Sequence, residues 1–221
     1  LIMDQDIAVR PLADLPDLLA LCASDAVLIE PASLPQALSF EIAASDVEMV
    51  EGDCPVTPIK ARKNQVEISG FRRAHHHDGV AMVKFLQWLS GINPTSYTES
   101  QIATQLEQFR SHQPEYLLPS FSTIAGCGPN GAIVHYRALT GQDRTLSEGD
   151  ILLLDSGGHY QTGTTDITRT LLIGNAPANG DVTDAFTHVL RGHIALATAH
   201  FECGATGQQL DGIARAPLWA V

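Results

Sequence analysis

The chain has 221 residues, 44% of them hydrophobic and 17% charged, a globular balance that excludes a disordered chain. Its 13 Lys and Arg stand against 25 Asp and Glu, a net charge of −12, so the basic footprint of a general nucleic-acid binder is absent. No apolar run approaches the roughly 18–20 residues of a membrane span, and no membrane partner is expected. Cys22, Cys54, Cys127 and Cys203 are scattered with no CxxC pair. That spacing argues against a zinc ribbon or a disulfide framework, and for a reducing compartment.

The chain starts at Leu1 without a signal-peptide pattern and stops inside the apolar run Leu218-Trp219-Ala220-Val221, so a segment of a longer protein is expected. Ala26-Val27-Leu28-Ile29-Glu30, ended by Pro31, reads as a strand. A helix is predicted over 34–42 and a second strand over 47–50. Pro55 and Pro58 then mark a boundary. Residues 1–57 are few for an independent core and read as the end of an upstream domain.

From residue 64 to 90 the spacing of Phe71, Ala74, Met82, Phe85, Leu86 and Leu89 predicts one long helix, stopped by Gly91 and Pro94. Thr98 with Gln101 forms a capping box for a second helix, whose apolar stripe is Ile102, Leu106 and Phe109. Residues 121–173 are rich in Gly, Thr and β-branched types and predict short strands, with His135 placed after Ile133 on an alternating one. A third helix is predicted over 183–200 and a fourth from near Gly207. That order predicts an α+β fold with an antiparallel sheet.

The chemistry concentrates in one block. Leu152-Leu153-Leu154-Asp155 describes a buried strand that delivers a carboxylate at its end, and Gly157-Gly158 permits a tight turn. After Gly163 a second strand carries Asp166, Thr168 and Thr170 on one face. A hairpin pairing 155 with 166 puts two carboxylates side by side, where their mutual repulsion invites a divalent cation with hard oxygen ligands. The plain alternative is that Asp166 pairs with Arg169 or caps a turn. The run His75-His76-His77 points in three directions about 100° apart and cannot close on one ion, so it reads as a solvated or partly packed helix face. His159 is expected in an exposed turn, and Glu148 and Asp150 in a solvated one. Cys127, in its glycine-flanked loop, carries no sign of a lowered pKa.

The block DSGGHYQTGTTDITRT, residues 155–170, resembles the motif of the metallopeptidases with the pita-bread fold, and among them the Xaa-Pro aminopeptidases (aminopeptidase P). PIKARKN at 58–64, RRAH at 72–75, FLQWL at 85–89, GPNGAIVHY at 128–136, GHIA at 192–195 and LDGIAR at 210–215 extend the resemblance. It implies an incomplete pita-bread catalytic domain over 58–221, preceded over 1–57 by the end of a creatinase-like N-terminal domain. In that family Asp155 would chelate one metal of a dinuclear site and Asp166 would bridge both, with manganese ahead of zinc. His135 would be the catalytic histidine at the mouth of the site. The family draws a further His and two Glu ligands from sequence beyond the matched motifs, and none of the three falls within this chain. Activity and tight metal binding are therefore not expected of the segment alone. The implied reaction is metal-assisted hydrolysis that releases the first residue of a peptide whose second residue is proline. The implied setting is a cytoplasmic homodimer that binds no nucleic acid. A proline dipeptidase would share the two aspartates, whereas a non-catalytic pita-bread binding module would lose them.

Overall fold

The short apolar runs near the start of the chain close into a parallel β-α-β unit. The computed structural model describes residues 9–21 and 26–221, so Cys22 lies outside the described residues. They divide into two compact units, Leu1–Asn64 and Gln65–Val221. In the first, α1 (Leu15–Leu21) precedes β1 (Ala26–Ile29), α2 (Gln36–Ala43), β2 (Glu48–Glu51) and α3 (Val56–Ala61). β1 and β2 pair in parallel from Ala26↔Glu48 to Ile29↔Glu51. Parallel neighbours need a crossover, and α2 supplies it. Leu19, Ile42 and Val47 form the core, backed by Val27 and Ile29 from the inward face of β1. The proline pair read as a boundary starts α3, with Pro58 in the first turn where its missing N–H costs nothing.

The second unit opens with α4 (Gln65–Leu89), whose buried positions Ala74, Asp78, Ala81, Met82 and Phe85 recur at helical spacing. α5 (Glu99–Ser111) starts where the capping box predicts, with Gln101 Oε1 accepting the Thr98 N–H at 2.9 Å. Next come β3 (Tyr116–Pro119) and β4 (Ile124–Cys127), so the strand region begins earlier than residue 121. After a 3-10 turn over Gly128–Ala132 follow β5 (Ile151–Ser156), β6 (Gly158–Tyr160), β7 (Gly163–Thr164) and β8 (Ile167–Leu172). They form two antiparallel sheets, in the orders β4-β5-β8 and β3-β6-β7. Leu152 and Leu154 face inward and meet Met82, Phe85, Ile102, Leu106, Ala125, Leu146 and Ile173 in the main core.

One register runs through both sheets. Asp155 opposes Thr168 and Ser156 opposes Ile167, while His159 opposes Thr164 and Tyr160 opposes Gly163. Between them the Thr165 N–H donates to the Gly158 carbonyl at 2.9 Å. Strands β5 and β6 thus form one arm of a long hairpin and β7 and β8 the other, turned at Gln161 and Thr162. This corrects two expectations. Asp155 does not pair with Asp166, and Gly157-Gly158 is not the turn. The register is slid by two residues because the two-residue loop lies further along. Gly157 sits at the crease where the hairpin changes sheets. A Cβ there would stand 2.0 Å from the Thr165 carbonyl oxygen and 2.3 Å from Ser120 Oγ.

α6 (Gly180–Ala197) begins three residues before the predicted start, because the Asn179 side chain caps it by accepting the Asp181 N–H at 3.0 Å. α7 (Gly207–Trp219) packs on α6 with its own Thr206–Gln209 cap. The two helices approach so closely at Gly192 that a Cβ would lie 2.1 Å from the Ala214 carbonyl oxygen.

A buried ion pair ties the helices of this unit to the hairpin. Arg110 Nε on α5 donates to Asp78 Oδ1 on α4 at 2.5 Å, with both side chains at most 2% exposed. The Tyr160 and Thr165 hydroxyls donate to the same carboxylate. Burial, and then the Asp78 charge, push the Tyr160 phenol well above its ordinary value. Asp78→Ala strands the guanidinium in the core. Urea unfolding is expected to show a loss of about 3–5 kcal/mol relative to the parent chain.

Candidate metal centre

Asp155, the next-to-last residue of β5, lies on the face opposite the core, half-buried, and its Oδ1 accepts the Thr168 hydroxyl at 2.8 Å across the hairpin. Asp166 lies just ahead of β8 and is exposed. Its neighbour Thr165 turns inward to Asp78, so alternation aims Asp166 to the Asp155–Thr168 side. The register places it opposite Gly157, a diagonal neighbour of Asp155, at about 7–8 Å in a regular ladder. Because the slide from the expected pairing is two residues, the face is the one predicted; a slide of one would have reversed it.

Neither aspartate joins an ion pair among the described residues. Arg169, the partner that the plain reading offers, donates to the Thr168 carbonyl at 2.7 Å. Two carboxylates with uncommitted oxygens suit a hard divalent cation. Among the described residues no group of three or more His, Cys, Asp or Glu converges on a metal-sized site. The chemistry of the carboxylate pair, two oxygen donors of hard character, fits such a cation.

His135 does not stand on a strand. Pro129 opens the 3-10 turn over Gly128–Ala132, and the chain then bends again, with the Tyr136 N–H bonded to the Ile133 carbonyl at 3.2 Å. His135 is exposed and has φ +55°, a conformation uncommon outside glycine but enriched for histidine. The segment begins beside Cys127, which pairs with Leu152, and reaches Arg137, which donates to Ser122 Oγ at 3.1 Å. It therefore runs back along β4 toward Ile124, the partner of Asp155.

Sequence reasoning missed Glu99. The carboxylate is fully buried at the first residue of α5, where the helix dipole favours it. It accepts from Cys127 N at 2.7 Å, Asn130 Nδ2 at 3.0 and 3.1 Å, Tyr136 Oη at 2.6 Å and Arg144 N at 3.0 Å. Burial and then this bond raise the Tyr136 phenol to about 12. An available signal was a Glu directly after an N-cap, upstream of an Asn and a Tyr in one motif.

The other candidates fall into structural places. His75 bonds the Phe71 carbonyl through Nδ1 at 2.9 Å, and His77 stacks on Tyr160 with ring centroids 6.5 Å apart. His159 pairs with the Thr164 hydroxyl on the hairpin. Asp150 and Glu148 are not merely solvated. Asp150 accepts from Arg144 and from the Cys127 thiol, and Glu148 accepts from the Asn175 and Ala176 amides.

The sequence model of metallopeptidase family M24 matches residues 69–221. A probable Xaa-Pro aminopeptidase P of Laccaria bicolor is 43% identical over 167 residues, which make up 75% of this chain and 26% of that protein. Xaa-Pro aminopeptidase 1 of Dictyostelium discoideum is 40% identical over 172 residues, covering 76% of this chain and 27% of its own. The X-prolyl aminopeptidase of Caenorhabditis elegans, described as a cytosolic enzyme with a di-nuclear active site, superposes with a TM-score of 0.83 at 31% identity. That match covers 97% of this chain and 36% of the other. A Xaa-Pro dipeptidase from Bacillus anthracis shares the fold at 22% identity and a TM-score of 0.77, over 96% of this chain and 58% of that one. The chain spans about a quarter of the length of the curated relatives it matches.

Burial, and then the Asp150 carboxylate, push the Cys127 thiol from 9.0 to about 12. The unfolded thiol ionises near its ordinary value. The stability this group contributes is therefore whole below pH 9.0 and is lost as pH rises toward about 12. At about pH 8, a thiol reagent is expected to label exposed Cys203 rapidly and Cys127 only at the rate of unfolding, read by mass spectrometry.

Proposed function

The chain belongs to metallopeptidase family M24, and we propose that the protein carrying it releases the first residue of peptides whose second residue is proline, using two divalent cations. The aminopeptidase relatives at 40–43% identity support this reading over proline dipeptidase, whose neighbour at 22% bears on fold alone. The observation that carries it is the contrast among carboxylates. Asp78 and Glu99 are saturated with donors, while Asp155 and Asp166, beside the crease of the hairpin, have no ion-pair partner among the described residues.

Asp155 and Asp166 would hold the metal pair. When bound, the cations supply Lewis-acid polarisation of the scissile carbonyl and acidify the attacking water. The rest falls to this chain's own side chains. The Thr168 hydroxyl orients Asp155 by occupying one carboxylate oxygen. His135, exposed on its turn, presents its imidazole nitrogens to the substrate. Manganese is proposed ahead of zinc, since the two donors this chain supplies are hard carboxylates. Residues 58–221 are proposed as the first part of the pita-bread domain, and 1–57 as the end of a creatinase-like one. The cytoplasm and a homodimer are the proposed setting, the compartment supported by the thiols at Cys54, Cys127 and Cys203, all free.

In the full-length protein, Asp155→Asn and Asp166→Asn are each expected to weaken manganese binding in calorimetric titration. Each should also lower turnover of a proline-containing peptide by more than about 100-fold. His135→Ala should lower turnover while metal content stays unchanged. Full activity in either aspartate variant would overturn the proposal.

A further inference from the structure

Resting on that reading of His135, we infer that Glu99 is its positioning residue, acting through Tyr136 and Asn130. No hydrogen-bond or ionic partner holds the His135 imidazole among the described residues, and its backbone sits at φ +55°. A conformation of that kind persists where the neighbours over-determine it. Here the neighbours are fixed by one buried carboxylate. Glu99 gathers the end of β4 through the Cys127 amide, the 3-10 turn through Asn130, the residue after His135 through the Tyr136 hydroxyl, and the loop that leads to β5 through the Arg144 amide. Asn130 Nδ2 also donates to Tyr136 Oη at 2.9 Å, which closes a triangle with Glu99 around the turn.

The turn between those anchors has little freedom. The Ile133 N–H bonds the Asn130 carbonyl at 3.1 Å and the Tyr136 N–H bonds the Ile133 carbonyl at 3.2 Å. His135 is the outward corner of a loop pinned on both sides. A carboxylate suits this role because every group that meets it is a donor. A glutamine would turn one acceptor into an NH₂ facing those same donors. Glu99 touches neither Asp155 nor Asp166 through any hydrogen bond of the structure. Its bonds to Asn130 and Tyr136 lead instead into the His135 turn.

Two variants test this. Glu99→Gln reverses one acceptor, and Tyr136→Phe removes only the two bonds of the Tyr136 hydroxyl, to Glu99 and from Asn130, while leaving the carboxylate in place, which keeps the fold intact if the first variant loosens it. On this chain, amide hydrogen exchange at Ile133 and Tyr136 is expected to quicken about tenfold in Tyr136→Phe, with Leu152 and Leu154 unchanged. In the full-length protein, kcat and kcat/KM should fall together by about tenfold in either variant. The same change placed on His135→Ala should cost nothing further. Losses that multiply in the double variant, or exchange that does not change in the turn, would overturn the inference alone. Wild-type activity in His135→Ala would overturn the reading of His135 and the inference with it.

Discussion

A carboxylate with no access to water organises the second unit. Asp78 sits in the middle of the apolar stripe of α4 and binds Arg110 of α5, so the two helices cannot slide past each other without separating buried charges. The same carboxylate takes the hydroxyls of Tyr160 and Thr165, one from each arm of the hairpin. The crease at Gly157 is thereby held against the helices at a fixed point. Thr165 is drawn inward, and alternation turns the residue beside it, Asp166, outward. The position of a candidate metal ligand is thus a consequence of a pair that lies on the other side of the sheet.

Six carboxylates of the second unit divide into two groups by what satisfies them. Asp78 and Glu99 are buried, and their oxygens are filled by donors converging from several segments. Asp150 and Asp143 are filled in the same way at the surface turns. For Asp143, burial works against ionisation, yet the donors from Ser100 and Thr98 outweigh it and hold the carboxyl well below its usual range. Asp155 and Asp166 differ, with one hydroxyl between them. Interior carboxylates left so open would be costly, but at a half-exposed strand end water covers the cost. Chemistry is available where the fold has not spent the oxygens.

Much of this architecture was legible in residue spacing. The long helix over 64–90, the capping box at Thr98 and Gln101, and the strand ending at Asp155 follow from periodicity and local donors, which act over a few residues. The specific block at 155–170 carried the family resemblance. The start of α6 was misplaced because an apolar stripe marks which face packs, whereas the Asn179 cap marks where the helix begins.

Non-local geometry lay beyond that kind of reading. Local alternation determines which side chains share a face, so Asp155 and Asp166 were assigned to one side even under the wrong pairing. The pairing itself depends on where the loop closes and on how tightly Gly157 meets Thr165, and only the folded hairpin decides that. His135 looked like a strand residue because Ile133-Val134-His135-Tyr136 alternates. The tertiary structure bends it into a turn because Glu99, many residues earlier in the chain, captures Asn130 and Tyr136. The sequence by itself determined which residues carry oxygen and imidazole chemistry and in what order. The contacts between distant segments decided which of those groups are consumed in holding the fold and which face outward.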